Sequence, residues 1–215
     1  MSFPDKCDIC TRTKINANMF HGDIELSLRP IKGSTTSVML VGQDPTVARG
    51  QIYSVLDLEN RNSHLYKYIL GEIMEPAGLG IDNVYATDLV KCRFPDNQTP
   101  SSICKRHGRT IKEFLSPFFQ NCLQWFIQEI DENQPAIILS FGQPVHQLLI
   151  EKFAWAVPVR MKEAFGNRYN VSLQGKDVYY VPCIHINSRG HQHYIKNWSK
   201  LNQSLKEAAT LSKII

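Results

Sequence analysis

Three polar side chains stand directly after, or at the end of, apolar runs, where a buried strand would deliver them to one edge of a sheet. Asp44 follows Ser37-Val-Met-Leu-Val-Gly42, Asp88 closes Asn83-Val-Tyr-Ala-Thr-Asp88, and His185 follows Asp177-Val-Tyr-Tyr-Val-Pro182. Carboxylates and a neutral imidazole placed together can divide acid–base work, one holding or accepting positive charge and the other donating a proton. Each has a plainer reading as well, Asp44 as a turn or capping residue before Pro45 and His185 as a satisfied core histidine. A second chemistry lies in six cysteines, Cys7, Cys10, Cys92, Cys104, Cys122 and Cys183, of which the first two form a C-x2-C pair. The N-terminus lacks the charged-then-apolar pattern of a signal peptide, which argues against a disulfide framework and leaves metal ligation or buried thiols.

The elements that must position these residues alternate. Strands are expected at 37–42, 83–88, 136–141 and 177–182, with helices at about 62–77, 119–132, 143–153 and 197–212, and an irregular, basic stretch at 93–118. Such alternation implies a parallel sheet covered on both faces, an α/β fold with three layers, α/β/α, around a central four-stranded parallel sheet. Ligands of such sheets bind beyond the carboxyl ends of the strands, where Gln43, Asp44, Asp88, Gly142, Gln143 and His185 gather. The 215 residues, 43% of them hydrophobic, suit one domain spanning 1–215. A net charge of +4 points mildly to a polyanionic partner. No apolar run approaches the roughly 18 residues a membrane helix needs, so a cytoplasmic protein with no membrane association is expected.

Three segments carry a family resemblance. Val41-Gly42-Gln43-Asp44-Pro45 resembles the first signature of uracil-DNA glycosylases. Val84-Tyr-Ala-Thr-Asp-Leu-Val-Lys-Cys-Arg-Phe-Pro95 looks like the second-strand signature of the iron-sulfur branch of that superfamily, and Pro182-Cys-Ile-His185 resembles the start of its last signature. The resemblance implies a uracil-DNA glycosylase-like fold and a DNA partner, double-stranded with a flipped base or single-stranded, bound by a monomer. It also implies Cys7, Cys10, Cys92 and Cys122 as ligands of a [4Fe-4S] cluster, with the N-terminal pair in a cluster segment at about 1–30 and Cys122 opening a helix. By spacing alone, a thiolate tetrad suits zinc equally well. Cys104, in what looks like an insertion at about 101–118, replaces Cys122 if the alignment shifts.

Cleavage of an N-glycosidic bond leaves positive charge on the sugar and negative charge on the departing base. The resemblance therefore assigns Asp44 to the sugar or the attacking water, and a neutral His185 to the base carbonyl. The target nucleotide must leave the duplex, and Tyr53 is the expected stacking face for its base. The segment Asn187-Ser-Arg-Gly-His-Gln-His-Tyr194 resembles a minor-groove wedge loop. In it Arg189 would fill the vacated space, Ser188 would contact DNA, and His191 and His193, with Lys91 and Lys196, would lie near phosphates; a solvated basic surface explains the same residues.

Two positions depart from the family. Uracil-specific members read the base edge with an asparagine where this chain has Asp88, and the best-known branch has a tyrosine where this chain has Thr46. An ionised carboxylate only accepts hydrogen bonds, whereas a protonated one can donate to N3 of cytosine and accept from its amino group. Threonine leaves room for a 5-substituent. With Gln43, Thr46, Tyr53 and Asp88 as base contacts, the expected substrate is a 5-modified cytosine, such as glucosylated hydroxymethylcytosine in phage DNA, which some glycosylases of this superfamily remove. The competing readings are a conventional uracil glycosylase with a protonated Asp88, a protein that captures a lesion without turnover, and a zinc-stabilised nucleic-acid-binding module.

Overall fold

The computed structural model describes residues 16, 18–21, 25–26, 30–45, 54–95 and 98–215. The first strands are β1 (Glu25–Leu26), β2 (Ile31–Lys32), β3 (Val38–Gly42), β4 (Val84–Asp88) and β5 (Cys92–Arg93), followed by β6 (Ile137–Phe141), β7 (Tyr169–Leu173) and β8 (Lys176–Cys183). Every residue of β3, β4 and β6 is buried, as expected of strands covered on both faces. The main sheet has the order β2-β4-β3-β6-β8-β7. Its four central strands are parallel and coincide with the four expected from sequence, while β2 and β7 pair antiparallel at the two edges. The sheet is therefore six-stranded and mixed rather than four-stranded and wholly parallel. The edge strands escape a sequence reading because β2 is two residues long and β7 alternates exposed and buried positions instead of forming an apolar run.

Helices fill both faces. Helix α1 (His64–Tyr66) continues as a π-helical stretch, Lys67–Met74; then come α2 (Pro100–His107), α3 (Ile111–Asn133), α4 (Gln143–Lys152), α5 (Met161–Ala164), α6 (Gln192–Lys196) and α7 (Trp198–Leu211). Strand alternation divides the core between two clusters. Met39, Val41, Tyr85 and Ile138 join Phe114, Phe118, Phe126 and Leu149 of α3 and α4 on one face. On the other, Val38, Leu40, Ala86 and Leu139 join Tyr68, Ile73, Leu201 and Leu205 from the α1 and α7 side.

The stretch 93–118 is not irregular. It contains α2 and the first two turns of α3, which begins at Ile111 rather than near residue 119. A reciprocal cap starts α3: Glu113 N–H donates to Thr110 Oγ1 at 3.2 Å and Thr110 N–H to Glu113 Oε2 at 2.9 Å. Pro117 lies inside the helix, costing one backbone hydrogen bond without ending it. Cys122 thus sits in mid-helix and does not open one. The segment before β2 also has a place, since β1 pairs with β5 so that Leu26 lies opposite Cys92, and Phe20 packs edge-on against Phe94 at 5.6 Å.

Candidate functional site

Because the central strands are parallel, Asp88 (β4), Gln43-Asp44 (after β3), Gly142 (after β6) and His185 (after β8) all emerge at one edge. Neighbouring strands lie about 4.8 Å apart, so this row spans roughly 14 Å, the scale of a nucleotide. Strand order reverses across β3 and β6, which places the row at a topological switch point.

The β3 and β4 ends are tied together beyond the sheet by Leu89 N–H to Gly42 O and Val90 N–H to Gln43 O, each 3.0 Å. Gln43 Nε2 donates to Asp44 Oδ1 at 2.6 Å, which orients that carboxylate. Asp88 is only 2% exposed and lies beside Gly42 in register. A Cβ on Gly42 would come within 2.1 Å of Asp88 Oδ1, so the carboxyl occupies the space that any other residue at 42 would fill. Its second oxygen, Oδ2, is buried and has no hydrogen-bond partner among the described residues. Burial foremost, then the charge of Asp44, pushes the Asp88 carboxyl up to about 8; Lys91 pulls the other way and Glu129 adds to the rise. At neutral pH the group is mostly protonated, and so able both to donate and to accept.

At the other end of the row, His185 Nδ1 accepts from the backbone N–H of Asn187 at 3.3 Å, which leaves the proton on Nε2. The residue is exposed, yet desolvation lowers its pKa, so at pH 7 it is a neutral donor. Tyr68, from the π-helical stretch, donates to the carbonyl of Ile184 at 2.7 Å and anchors the strand end that carries it. Behind Gly142, His146 Nε2 donates to Pro158 O at 2.8 Å. Its Nδ1 then accepts from Tyr180 Oη at 2.7 Å, which in turn accepts from Ser140 Oγ at 2.6 Å. Gln143 clamps the same loop by accepting from Met161 N–H and donating to Val159 O. Sequence reading misses Tyr68, His146 and Tyr180, whose partners lie far along the chain; no local pattern announces them.

The residues expected on DNA fall in different settings. Arg189 and His191 are exposed and Ser188 half-buried, all on the segment after His185. Arg189 is paired with Glu72 at 2.6 Å, and His193 Nε2 lies 2.6 Å from Lys162 O. Lys91 does not share their exposure: it is 3% exposed and ion-paired with Glu129 at 2.6 Å inside the protein, so its ammonium does not face solvent. Thr46 and Tyr53 lie outside the described residues.

Of the expected thiolate ligands, Cys7 and Cys10 also lie outside the described residues. Cys92 and Cys122 are both buried, and the N–H of Lys91, the residue before Cys92, donates to Cys122 Sγ at 3.4 Å. Two buried cysteines brought to one place, with a backbone donor on sulfur, suit a thiolate site. Cys104 instead donates its thiol proton to Thr110 O at 3.5 Å and is pushed up by burial, which suits a structural thiol. Cys183, sealed in β8, is pushed further up by burial. Among the described residues no three metal-capable side chains converge.

Residues 31–209 match the uracil DNA glycosylase superfamily. The chain belongs to that superfamily. Its members form a hydrolase superfamily of glycosylase type, and the α/β architecture here agrees with membership. No curated protein matches the chain. Among the described residues, no helix of this glycosylase-superfamily protein is long and apolar enough to cross a membrane.

Proposed function

We propose that the protein is a DNA glycosylase that flips a nucleotide and hydrolyses its N-glycosidic bond to leave an abasic site, with a 5-modified cytosine such as glucosylated hydroxymethylcytosine in phage DNA as its preferred substrate. The observation that carries this reading is the buried carboxyl of Asp88 packed beside Gly42, whose Oδ2 has no hydrogen-bond partner among the described residues and which burial holds mostly neutral. A neutral carboxyl donates to cytosine N3 and accepts from its amino group, and donation to N3 draws electron density from the departing base. Asp44, oriented by Gln43, stabilises the sugar cation or the attacking water, and His185 donates from Nε2 to the base carbonyl oxygen. Thr46 and Tyr53 complete the base contacts, and Ser188, Arg189, His191 and His193 meet the DNA. Cys7, Cys10, Cys92 and Cys122 hold a [4Fe-4S] cluster or zinc, a structural tether for the N-terminal segment.

Uracil is the second reading, because the same neutral carboxyl can accept from uracil N3-H and donate to O4. Base release from matched DNA carrying uracil, cytosine, hydroxymethylcytosine or glucosylated hydroxymethylcytosine distinguishes the two, with Asp44→Ala as control. Release of a modified cytosine alone supports the first reading, release of uracil alone replaces it with the second, and release of none refutes both. Metal analysis of the purified protein, and of Cys122→Ser, tests the ligand set: the intact chain carries iron or zinc and the variant loses it.

A further inference from the structure

The buried ion pair between Lys91 and Glu129, on the α3 side of the sheet, has no part in the reading above. Glu129, two turns beyond Cys122 on α3, accepts from Thr87 Oγ1 at 2.9 Å and from Lys91 Nζ at 2.6 and 2.9 Å. Lys91 Nζ also donates to Thr87 Oγ1, and Tyr85 bonds Glu129 from the same face of β4. All four side chains are buried. Thr87 and Tyr85 face α3, whereas Asp88, one residue on, faces the opposite side of the sheet, so β4 lies between the Asp88 carboxyl and the pair, which Thr87 contacts directly.

A fold has no need of charges here. Taking an ammonium and a carboxylate out of water is costly, and apolar residues of the same shape usually hold a core at least as well. What the arrangement does accomplish is electrostatic: a buried ammonium close to Asp88 would favour its ionised form, and the carboxylate of Glu129 offsets that field. Among the described residues, the charged groups acting on Asp88 are Asp44 from the turn after β3, Lys91 from the segment after β4, and Glu129 from α3. Their signs are negative, positive and negative. Of these, Glu129 is the one in direct contact with Lys91.

We infer that Glu129 is a specificity-determining positioning residue: from the far face of the sheet it neutralises Lys91, so that Asp88 meets the base as a neutral carboxyl that both donates and accepts. This rests on the proposed reading of Asp88 as the base-edge contact. Lys91, in turn, ties the start of β5 to α3 through its N–H on Cys122 Sγ and its ammonium on Glu129.

The test uses the full-length protein and three variants, Glu129→Gln, Lys91→Met and the double variant. Glu129→Gln keeps the shape and the acceptor oxygen but leaves Lys91 uncompensated. Titration of the Asp88 carboxyl, followed by carbon NMR in the protein without DNA and assigned with Asp88→Asn, is the primary readout. In Glu129→Gln the midpoint falls, and the alkaline limb of base release moves down with it. The double variant, which disturbs packing more but restores charge balance, returns the midpoint towards that of the parent. An unchanged midpoint in Glu129→Gln, or a double variant shifted as far as Glu129→Gln, overturns the inference and shows a purely structural pair. The titration needs no substrate, so it stands apart from the base-release test: absence of release with the expected midpoint shifts refutes the functional reading alone.

Discussion

Replacing Asp88 with asparagine removes a buried group that must change its protonation between the folded and unfolded chain. The folded protein holds the Asp88 carboxyl at about 8, against an ordinary value of 3.8. Between those values the folded state binds the proton and the unfolded state has released it, so stability falls as pH rises from about 4 to about 8 and is level above. At about 1.4 kcal/mol per pH unit, the penalty in the parent is roughly 2 kcal/mol at pH 5, roughly 4 at pH 7 and roughly 6 above pH 8. Asparagine does not titrate, so the advantage of Asp88→Asn over the parent grows by roughly 4 kcal/mol from pH 5 to pH 9. Urea denaturation of both proteins at pH 5, 7 and 9 measures that difference directly, and the titration of every other group cancels to first order in the comparison. A difference that stays constant within about 1 kcal/mol across this range would falsify the claim that Asp88 is buried in its neutral form.

Two further substitutions probe the geometry around the pocket. Gly42→Ala drives a methyl group into the space of Asp88 Oδ1, so the carboxyl is displaced; we expect a loss of roughly 1–3 kcal/mol in stability and a larger loss of base discrimination, read by denaturation and by competition between substrates. Tyr68→Phe removes the bond to Ile184 O, costing about 1 kcal/mol, and lets the His185 strand end shift; kcat should fall more than KM rises, and an unchanged kcat would show that this anchor is irrelevant to His185.

The central strands are legible because each is buried on both faces and therefore reads as a continuous apolar run: the pattern at 37–42 corresponds to Val38–Gly42, and that at 136–141 to Ile137–Phe141. The start of α3 is hidden although Thr110-x-x-Glu113 is written in the sequence, because Pro117 reads locally as a break. The reciprocal cap, and the burial of Phe114, Leu115 and Phe118 on either side of the proline, outweigh the single hydrogen bond that it forfeits. Edge strand β7 is hidden for the opposite reason, since its alternation is short and borders no apolar run.

Residue types and local pattern determined that Asp44, Asp88 and His185 would stand at strand ends, since that depends only on where apolar runs stop. That Asp88 stands where an asparagine is usual came instead from the resemblance to uracil-DNA glycosylases. Which charge state that carboxyl holds was decided by the tertiary structure alone, through the closeness of Gly42, the enclosure of Oδ2 and the sum of the Asp44, Lys91 and Glu129 charges. Lys91 makes the same point: its type and its place after β4 suggest a phosphate contact, but Glu129, 38 positions away, draws it into the core. Coulomb energies and desolvation depend on distances between groups remote in sequence, and those distances exist only once the sheet and α3 have packed.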